Sequence, residues 1–336
     1  MREKSALLSI CIPTYNRSAY LRQCLAAVLP QAEECHVPVI VSDNGSIDGT
    51  GDVIEFFSKK FDCLQYLRQE VNLGHDLNHK AILNATASTY AWLLGDDDVI
   101  ESRAISTLLS FLGGKERYDL ILLNAYLTDN DLRPEGYQFN LKDDLLINNC
   151  NDLLANYSDK LTFGMIVVDV DKFNNAKSDR FVGTGHYYGG VVYDYLADVY
   201  RSKGRNNICI YSLPLVKLRQ GIRAWTVSIC DINLRCVPLF FIALDPLYTV
   251  NANKALNAAT RSFRLLHTAL QARRSGWLDR RYLTTLADFY HGWPWSTLWL
   301  ISRLPEQASS LLCSIWSLAS KCWHPLKRAI YGTRSP

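Results

Sequence analysis

Three consecutive aspartates, Asp96, Asp97 and Asp98, follow the apolar run Tyr90-Ala91-Trp92-Leu93-Leu94-Gly95. Adjacent carboxylates repel one another, and burying them unpaired is costly. A divalent cation resolves the repulsion, and carboxylate oxygens suit magnesium or manganese. The position just past a strand's C-terminal end is also where open α/β sheets bind ligands. A plain acidic turn, with Asp98 capping the next helix, would use the same residues. A second polar stretch reads Phe181-Val-Gly-Thr-Gly-His186-Tyr-Tyr-Gly-Gly190-Val-Val-Tyr-Asp194. Its glycines allow close approach of a ligand in a loop entering a helix. His186 is a base available near neutral pH, Asp194 is a second candidate on the helix, and Tyr187 and Tyr188 offer rings for stacking. The blander alternative is a loop histidine and a solvated helix carboxylate. His75 and His79 have the four-residue spacing of a metal pair, but without a zincin glutamate a solvated helix face is the expectation.

The elements that must position these groups alternate. Leu7–Ile12, Val37–Val41, Cys63–Leu67, Tyr90–Leu94 and Asp119–Asn124 read as strands. Helical spacing fills Tyr20–Leu29, Asp52–Phe61, Asp76–Ala85 and Arg103–Leu112. Such alternation predicts a doubly wound, mainly parallel α/β sheet. Residues 128–159 read as a polar connection into a second half, where Phe163–Val168 and Ile208–Tyr211 are strand candidates and Val191–Tyr200 a helix. From Arg261 onward the pattern is helical. Three segments result: 1–125, 126–250, and a helical, aromatic-rich extension over 251–336.

Charge divides along the same line. Residues 251–336 hold twelve Lys and Arg against three Asp and Glu, leaving 24 against 30 in residues 1–250, and six of the eight tryptophans lie in the basic part. Basic residues among Trp, Leu and Ile fit helices lying in a membrane interface; a helical cap on the preceding domain fits equally. The apolar character favours lipid over nucleic acid. The ten cysteines include no C-x-x-C pair, which argues against zinc and for a reducing compartment. No apolar run reaches the roughly 18 residues of a membrane span, and the N-terminus lacks a signal-peptide pattern.

Neither G-x-G-x-x-G nor a Walker A lysine motif follows the first strand, where Pro13-Thr14-Tyr15-Asn16-Arg17 stands instead. A bound diphosphate would need positive charge from elsewhere, and a metal on the aspartates can supply it. Ser9–Arg17, Val41-Ser-Asp-Asn-Gly-Ser-Ile-Asp-Gly-Thr50, Asn72-Leu-Gly74 and Leu94-Gly-Asp-Asp-Asp98 together resemble the nucleotide-sugar half of family 2 glycosyltransferases of the GT-A fold, over roughly residues 7–125. The Leu-Leu-Gly-Asp-Asp-Asp form is similar to the branch containing the abequosyltransferases of O-antigen assembly.

The resemblance implies roles. Pro13, Thr14 and Tyr15 would pack on base and ribose, and Asp43 would read the base, accepting from an imide N–H. Asn72, Gly74 and Asn78 would line the nucleotide, although Leu77-Asn78-His79 stands where many relatives carry an arginine–asparagine pair. Asp96 would contact ribose or donor sugar, Asp98 the Mg2+ or Mn2+, with Asp97 sharing either role. The family's Glu–Asp pair for the base is missing, which leaves His186 and Asp194 as candidates and the stereochemical outcome open. The implied activity is metal-dependent transfer of a sugar from a nucleoside-diphosphate donor to a saccharide hydroxyl, the acceptor being a lipid-linked surface-glycan intermediate at the inner face of the cytoplasmic membrane. Two alternatives remain: a nucleotidyltransferase, which should show a glycine-rich basic first loop, and a non-catalytic sugar- or membrane-binding protein on a transferase scaffold.

Overall fold

The computed structural model describes residues 6–176, 179–220, 232–251, 254, 263–276, 278–287, 290 and 293–315. The chain divides into two compact units, Met1–Ile222 with Ala243–Asn251, and Arg223–Ile242 with Ala252–Pro336.

The first unit is built on one twisted sheet. Its parallel part comes from short apolar strands: β1 (Leu8–Thr14), β2 (Val39–Asp43), β3 (Leu64–Arg68) and β4 (Tyr90–Leu93), in the order β3-β2-β1-β4. All residues of β2 and β4 are buried, as strands covered on both faces must be. Helices α1 (Ser18–Glu34), α2 (Thr50–Ser58) and α3 (His75–Ala85) make the crossovers. In α1 the buried stripe Leu21, Cys24, Leu25, Val28, Leu29 and Ala32 follows the 3.6-residue period. One carboxylate starts two helices: Asp48 accepts from the backbone N–H of Ser18 at 3.0 Å and of Thr50 at 3.0 Å.

Beyond β4 the sheet continues through strands the sequence pattern only partly foretold. A two-residue strand, β5 (Val99–Ile100), follows the aspartates directly, then come α4 (Ala104–Leu112) and β6 (Leu120–Thr128). The polar segment expected to be a connection holds β7 (Pro134–Tyr137), β8 (Leu145–Ile147) and α5 (Cys150–Tyr157). These strands were missed because they are short and pair only at the flanks of β6 and β10. Then follow β9 (Ile166–Asp169), α6 (Val170–Asn175), α7 (Tyr187–Lys203) and the long β10 (Ile208–Arg219). β9 runs antiparallel between β4 and β6, and β6 pairs parallel with β10. Pro214 removes a ladder donor and shifts the β6–β10 register, so β10 splits into two paired halves. The first pairs with β8 and the second with β5. That second pairing brings the chain around Arg219 to the aspartates.

The second unit has its own small core, which includes Leu265, Ala269, Leu286, Leu298 and Ile301 from helices Phe263–Arg274, Arg280–Leu286 and Trp293–Ser302, with Leu278 from the turn between the first two. Its surface exposes Trp299, Leu300, Leu311, Leu312 and Ile315, with Arg303 stacked 4.1 Å over the Trp299 ring. Trp316 and Trp323, expected in the same helical region, lie outside the described residues, as do Lys321, Lys327 and Arg328. No helix among the described residues is long and apolar enough to cross a membrane.

Candidate active site

The C-terminal ends of β1, β2 and β4 lie side by side, so the loops that follow them share one edge of the sheet. The register pairs Pro13 with Ser42 and Thr14 with Asp43. Asp43 is buried yet well served: Oδ1 accepts from the Ser46 N–H and Oδ2 from the Tyr66 hydroxyl, each at 2.8 Å. Two ionised oxygens have about four acceptor sites, so capacity remains for a further N–H. Tyr15 is 40 % exposed at the same edge, an open ring for stacking. Loops after β2 and β3 are zipped by an amide pair, with Asn44 Nδ2 donating to Asn72 Oδ1 at 2.8 Å and the Leu73 N–H to Asn44 Oδ1 at 2.9 Å. The Gly74 N–H also donates to Asn72, and Gly74 takes φ +87, a conformation open to glycine. Asn78 is buried and its amide serves Ser42: Ser42 Oγ donates to Oδ1 at 2.6 Å and Nδ2 donates to the Ser42 carbonyl at 3.0 Å. Asn78 thus ties α3 to the end of β2.

The aspartate cluster is not three equivalent groups. Asp96 accepts from the Thr14 hydroxyl at 2.7 Å and from Arg17 Nη1 at 2.8 Å. The same Arg17 nitrogen lies 2.7 Å from Asp97 Oδ2. Asp98 turns the other way: Oδ1 accepts from the Arg219 backbone N–H at 3.2 Å, and a Cβ on Gly164 would stand 2.5 Å from Oδ2. Gly164, at φ +106, is therefore the residue that lets the β9 turn close over this carboxylate. Trp92 fixes that turn by donating from Nε1 to the Gly164 carbonyl at 2.8 Å. The Arg219 guanidinium donates to the Asp97 carbonyl at 2.7 Å and to Gln23. Burial first, and then the charge of Asp97, push the Asp96 carboxyl up to about 6; the same causes push Asp98 well above the carboxylate range.

No three His, Cys, Asp or Glu side chains converge as a metal cage among the described residues. Magnesium-like ions need no such cage when a diphosphate supplies oxygens, since one or two carboxylates suffice. The cluster fits a cation of that kind. Asp97, the more exposed partner of Arg17, offers the accessible oxygen. Asp98, the metal ligand the resemblance implied, would have to leave its contact with the Arg219 N–H and the Gly164 turn.

The segment carrying the proposed bases is anchored by a residue that the sequence reading passed over. Asp76, in the first turn of α3, accepts at Oδ2 from the N–H of Gly183 at 2.8 Å and of Gly185 at 2.9 Å. Its Oδ1 accepts from the Tyr187 N–H at 3.2 Å. Against burial, which would raise it, hydrogen bonds from His75 and these amides hold the Asp76 carboxyl below its usual range. The loop around His186 is thereby strapped to the helix that follows the Asn72–Gly74 loop. Burial and, second, nearby His75 lower the His186 imidazole to about 4, so the ring is neutral at pH 7.

Asp194 is buried and ion-paired with Arg180 rather than solvated. Eight residues of α7 separate it from His186, roughly 12 Å of helix rise, so the two expected bases do not share one proton position. The expected loop glycines Gly189 and Gly190 are helical, because α7 starts at Tyr187. Gly190 faces Phe181 so closely that a Cβ would meet the ring at 2.1 Å. Tyr187 and Tyr188 are buried rather than offered to a ligand, with Tyr188 edge-on to His79 and Phe163. His79, expected on a solvated face, is 2 % exposed and stacked on Phe163 at 4.4 Å.

Arg17 stood inside the first-loop motif without a role; it lies 79 positions from Asp96, and the resemblance that sets this loop beside the aspartates was the signal that could have given it one. Tyr66, Asp76 and Arg219 carried no such signal: each reaches the site through pairing with residues 23, 107 or more, and 121 positions away.

A mainly parallel sheet whose strand-end loops gather an exposed aromatic ring, a buried carboxylate and an acidic cluster has its candidate site where open α/β sheets bind ligands. Residues 9–168 match the family Glycosyl transferase family 2. Relatives include Abequosyltransferase RfbV of Salmonella typhimurium, 31 % identical over 43 % of this chain and 45 % of its own length. Another is the GalNAc(5)-diNAcBac-PP-undecaprenol beta-1,3-glucosyltransferase of Campylobacter jejuni, 28 % identical over 50 % of this chain and 54 % of its own. The chain spans about half the length of these curated relatives. Among solved structures, S. aureus TarS in complex with UDP-GlcNAc superposes with a TM-score of 0.57 over 84 % of this chain and 80 % of that one, at 15 % identity. The shared fold is that of GT-A glycosyltransferases.

Proposed function

We propose that this chain is a sugar transferase that takes a glycosyl group from a nucleoside-diphosphate donor and passes it to a saccharide hydroxyl. The observation that carries the reading is the convergence of Thr14, Asp43 and Asp96–Asp98 on adjacent strand ends, with the exposed Tyr15 ring beside them. In this reading Tyr15 stacks on the base, Asp43 accepts its N–H, and the Asn44–Asn72 zipper with Gly74 shapes the nucleotide's rim. Asp97, flanked by Asp96 and Asp98, would hold a Mg2+ or Mn2+ ion beside the donor diphosphate. Bound there, such an ion supplies Lewis-acid charge to the leaving nucleoside diphosphate. His186 is the candidate acceptor of the hydroxyl proton, its ring being neutral at pH 7; Asp194 pairs with Arg180.

The acceptor is proposed to be a lipid-linked saccharide. The Campylobacter jejuni relative's name specifies a polyprenyl-diphosphate glycan, and the abequosyltransferase supports an O-antigen-type role. The exposed Trp299, Leu300, Leu311, Leu312 and Ile315, with Arg303 among them, suit the headgroup boundary of an anionic membrane and support a peripheral position on its cytoplasmic face. Residues 1–125 and 126–250 would then serve donor and acceptor, with 251–336 as the membrane-facing part.

The test is a panel of nucleotide sugars, each titrated into the full chain with and without Mn2+ or Mg2+, with anionic vesicles bearing a polyprenyl-linked saccharide. Metal-dependent binding of one donor and its turnover on vesicles is the expected result. Failure of every nucleotide sugar to bind in the presence of metal would sink the reading. Metal-dependent binding without turnover on any saccharide would favour the non-catalytic alternative.

A further inference from the structure

The most unusual contact in the cluster is a single nitrogen shared by two acids. Arg17 Nη1 lies 2.8 Å from Asp96 Oδ1 and 2.7 Å from Asp97 Oδ2, while its side chain is 11 % exposed. The backbone leads it there. Asn16 takes φ +52, donates from its N–H to Ser46 Oγ at 2.8 Å, and accepts the Ile47 N–H at 2.8 Å. This pinned turn ends β1 and places residue 17 over the strand ends, immediately before α1. Tyr20, one turn on, lies under two guanidinium groups, Arg17 at 5.6 Å and Arg219 at 5.1 Å. Against burial, which would lower it, the charges of Asp96 and Asp97 hold Arg17 even more firmly protonated than usual.

A cation that bridges Asp96 and Asp97 would need the space this nitrogen fills, and two positive charges at hydrogen-bond range exclude each other. We propose that Arg17 is the exchangeable counter-ion of the aspartate cluster. In the donor-free chain it holds Asp96 and Asp97 together. When a divalent cation arrives with a nucleoside diphosphate, Arg17 yields the carboxylates and turns its fork to the phosphate oxygens, which guanidinium matches geometrically. Metal and nucleotide binding are then positively coupled, because each removes the other's obstacle, and the coupling is reciprocal. The idea rests on the metal-dependent donor reading above.

The experiment follows free Mn2+ by its electron paramagnetic resonance signal. Mn2+ is titrated into the full chain alone, then with UDP, CDP, GDP or dTDP in turn, for wild type, Arg17→Gln and Arg17→Lys. Wild type should bind Mn2+ weakly alone and about tenfold or more tightly with one of the nucleotides. Arg17→Gln should bind Mn2+ alone about tenfold more tightly than wild type, with little further gain from nucleotide. Arg17→Lys keeps the competing charge and loses the fork, so it should bind Mn2+ alone as weakly as wild type with at least fivefold less nucleotide-dependent gain. Equal Mn2+ affinity in Arg17→Gln and wild type overturns the counter-ion role while leaving the metal reading standing. If Arg17→Gln does not fold, an undiminished nucleotide gain in Arg17→Lys overturns it instead. No Mn2+ binding by wild type with any nucleotide removes the metal reading itself, and the inference with it.

Discussion

The edge proposed to bind the donor (the donor edge) and the His186 segment hold their acids in opposite ways. At the donor edge the acids come from one strand end and crowd, and the fold answers with cations: Arg17 across Asp96 and Asp97, and the Arg219 guanidinium on the Asp97 carbonyl. At the His186 segment one acid, Asp76, is served by backbone N–H groups alone on its Gly183, Gly185 and Tyr187 side, and it orders a loop rather than a charge. The first arrangement is electrostatically frustrated and invites a ligand. The second is satisfied and gives rigidity. In the proposed reading, diphosphate binding falls to the frustrated edge and positioning of the acceptor hydroxyl to the rigid segment.

The contrast breaks most sharply at Asp97. If the accessible, frustrated carboxylate is the one that works, Asp97→Ala should lower sugar transfer by about 100- to 1000-fold, the loss typical of a group that stabilises transition-state charge. Its melting temperature should stay within a few degrees of wild type, since the lost partner is a part-exposed one. Asp98→Ala should differ in kind. It leaves the Arg219 N–H without its carboxylate and opens space beside Gly164, so thermal stability should fall along with activity. Transfer assays paired with calorimetry separate the two. An Asp97→Ala enzyme with full activity would end the assignment.

On the rigid side, Asp76→Ala removes one carboxylate from three backbone donors. Leaving such donors unpaired in a buried loop costs about 1–3 kcal/mol each before water or relaxation compensates. The expectation is a destabilisation at the lower end of that range and roughly tenfold slower transfer. Amide exchange at Gly183, Gly185 and Tyr187 should rise ahead of exchange in α3. Exchange that stays as slow as in wild type would show that the loop is held by something else.

How much of this was legible depends on the range of each interaction. The strands and helices up to β4 are dictated by local apolar periodicity, and Leu8–Thr14 or Tyr90–Leu93 could hardly be anything but buried strands. The aspartate cluster stood out because it follows a strand end directly, while Asp43 and Tyr15 were singled out through the family resemblance. Beyond residue 125 the pattern finds β9, α7 and the start of β10 but misses the shorter strands, for physical reasons. β7 and β8 are four and three residues long and pair only with one neighbour each, too little to impose periodicity. Asp194 looked like a solvated helix position because nothing local announces that Arg180 will cover it. His79 looked like a surface residue until Phe163, 84 positions away, supplied a ring to stack on. Tyr187 and Tyr188 read as ligand platforms for the same reason: burial of a helix's first turn is decided by its tertiary neighbours, not by its sequence.

The smallest predicted effect separates the two regions by the sign of their pH dependence. His186 in the folded chain titrates near 4, against about 6.5 when unfolded. Between those values the unfolded state binds a proton that the folded state refuses, so stability falls as pH drops from about 6.5 and the loss levels out below about 4. Buried His79, also lowered, adds to the same trend. Asp96 runs oppositely. Its folded value is near 6, above its unfolded value, so the folded state holds the extra proton and stability falls as pH rises through that interval, reaching its full cost above about 6. His186→Gln should therefore lose less melting temperature than wild type between pH 7 and pH 5. Asp96→Asn should melt higher than wild type at pH 7, and that advantage should vanish by about pH 4. Shifts of a few degrees are within the range that one such group produces. Melting curves of both variants that run parallel to wild type from pH 4 to pH 7 would mean that neither group is held in the environment described, and that crowding at the donor edge and neutrality at His186 are not what distinguishes the two regions.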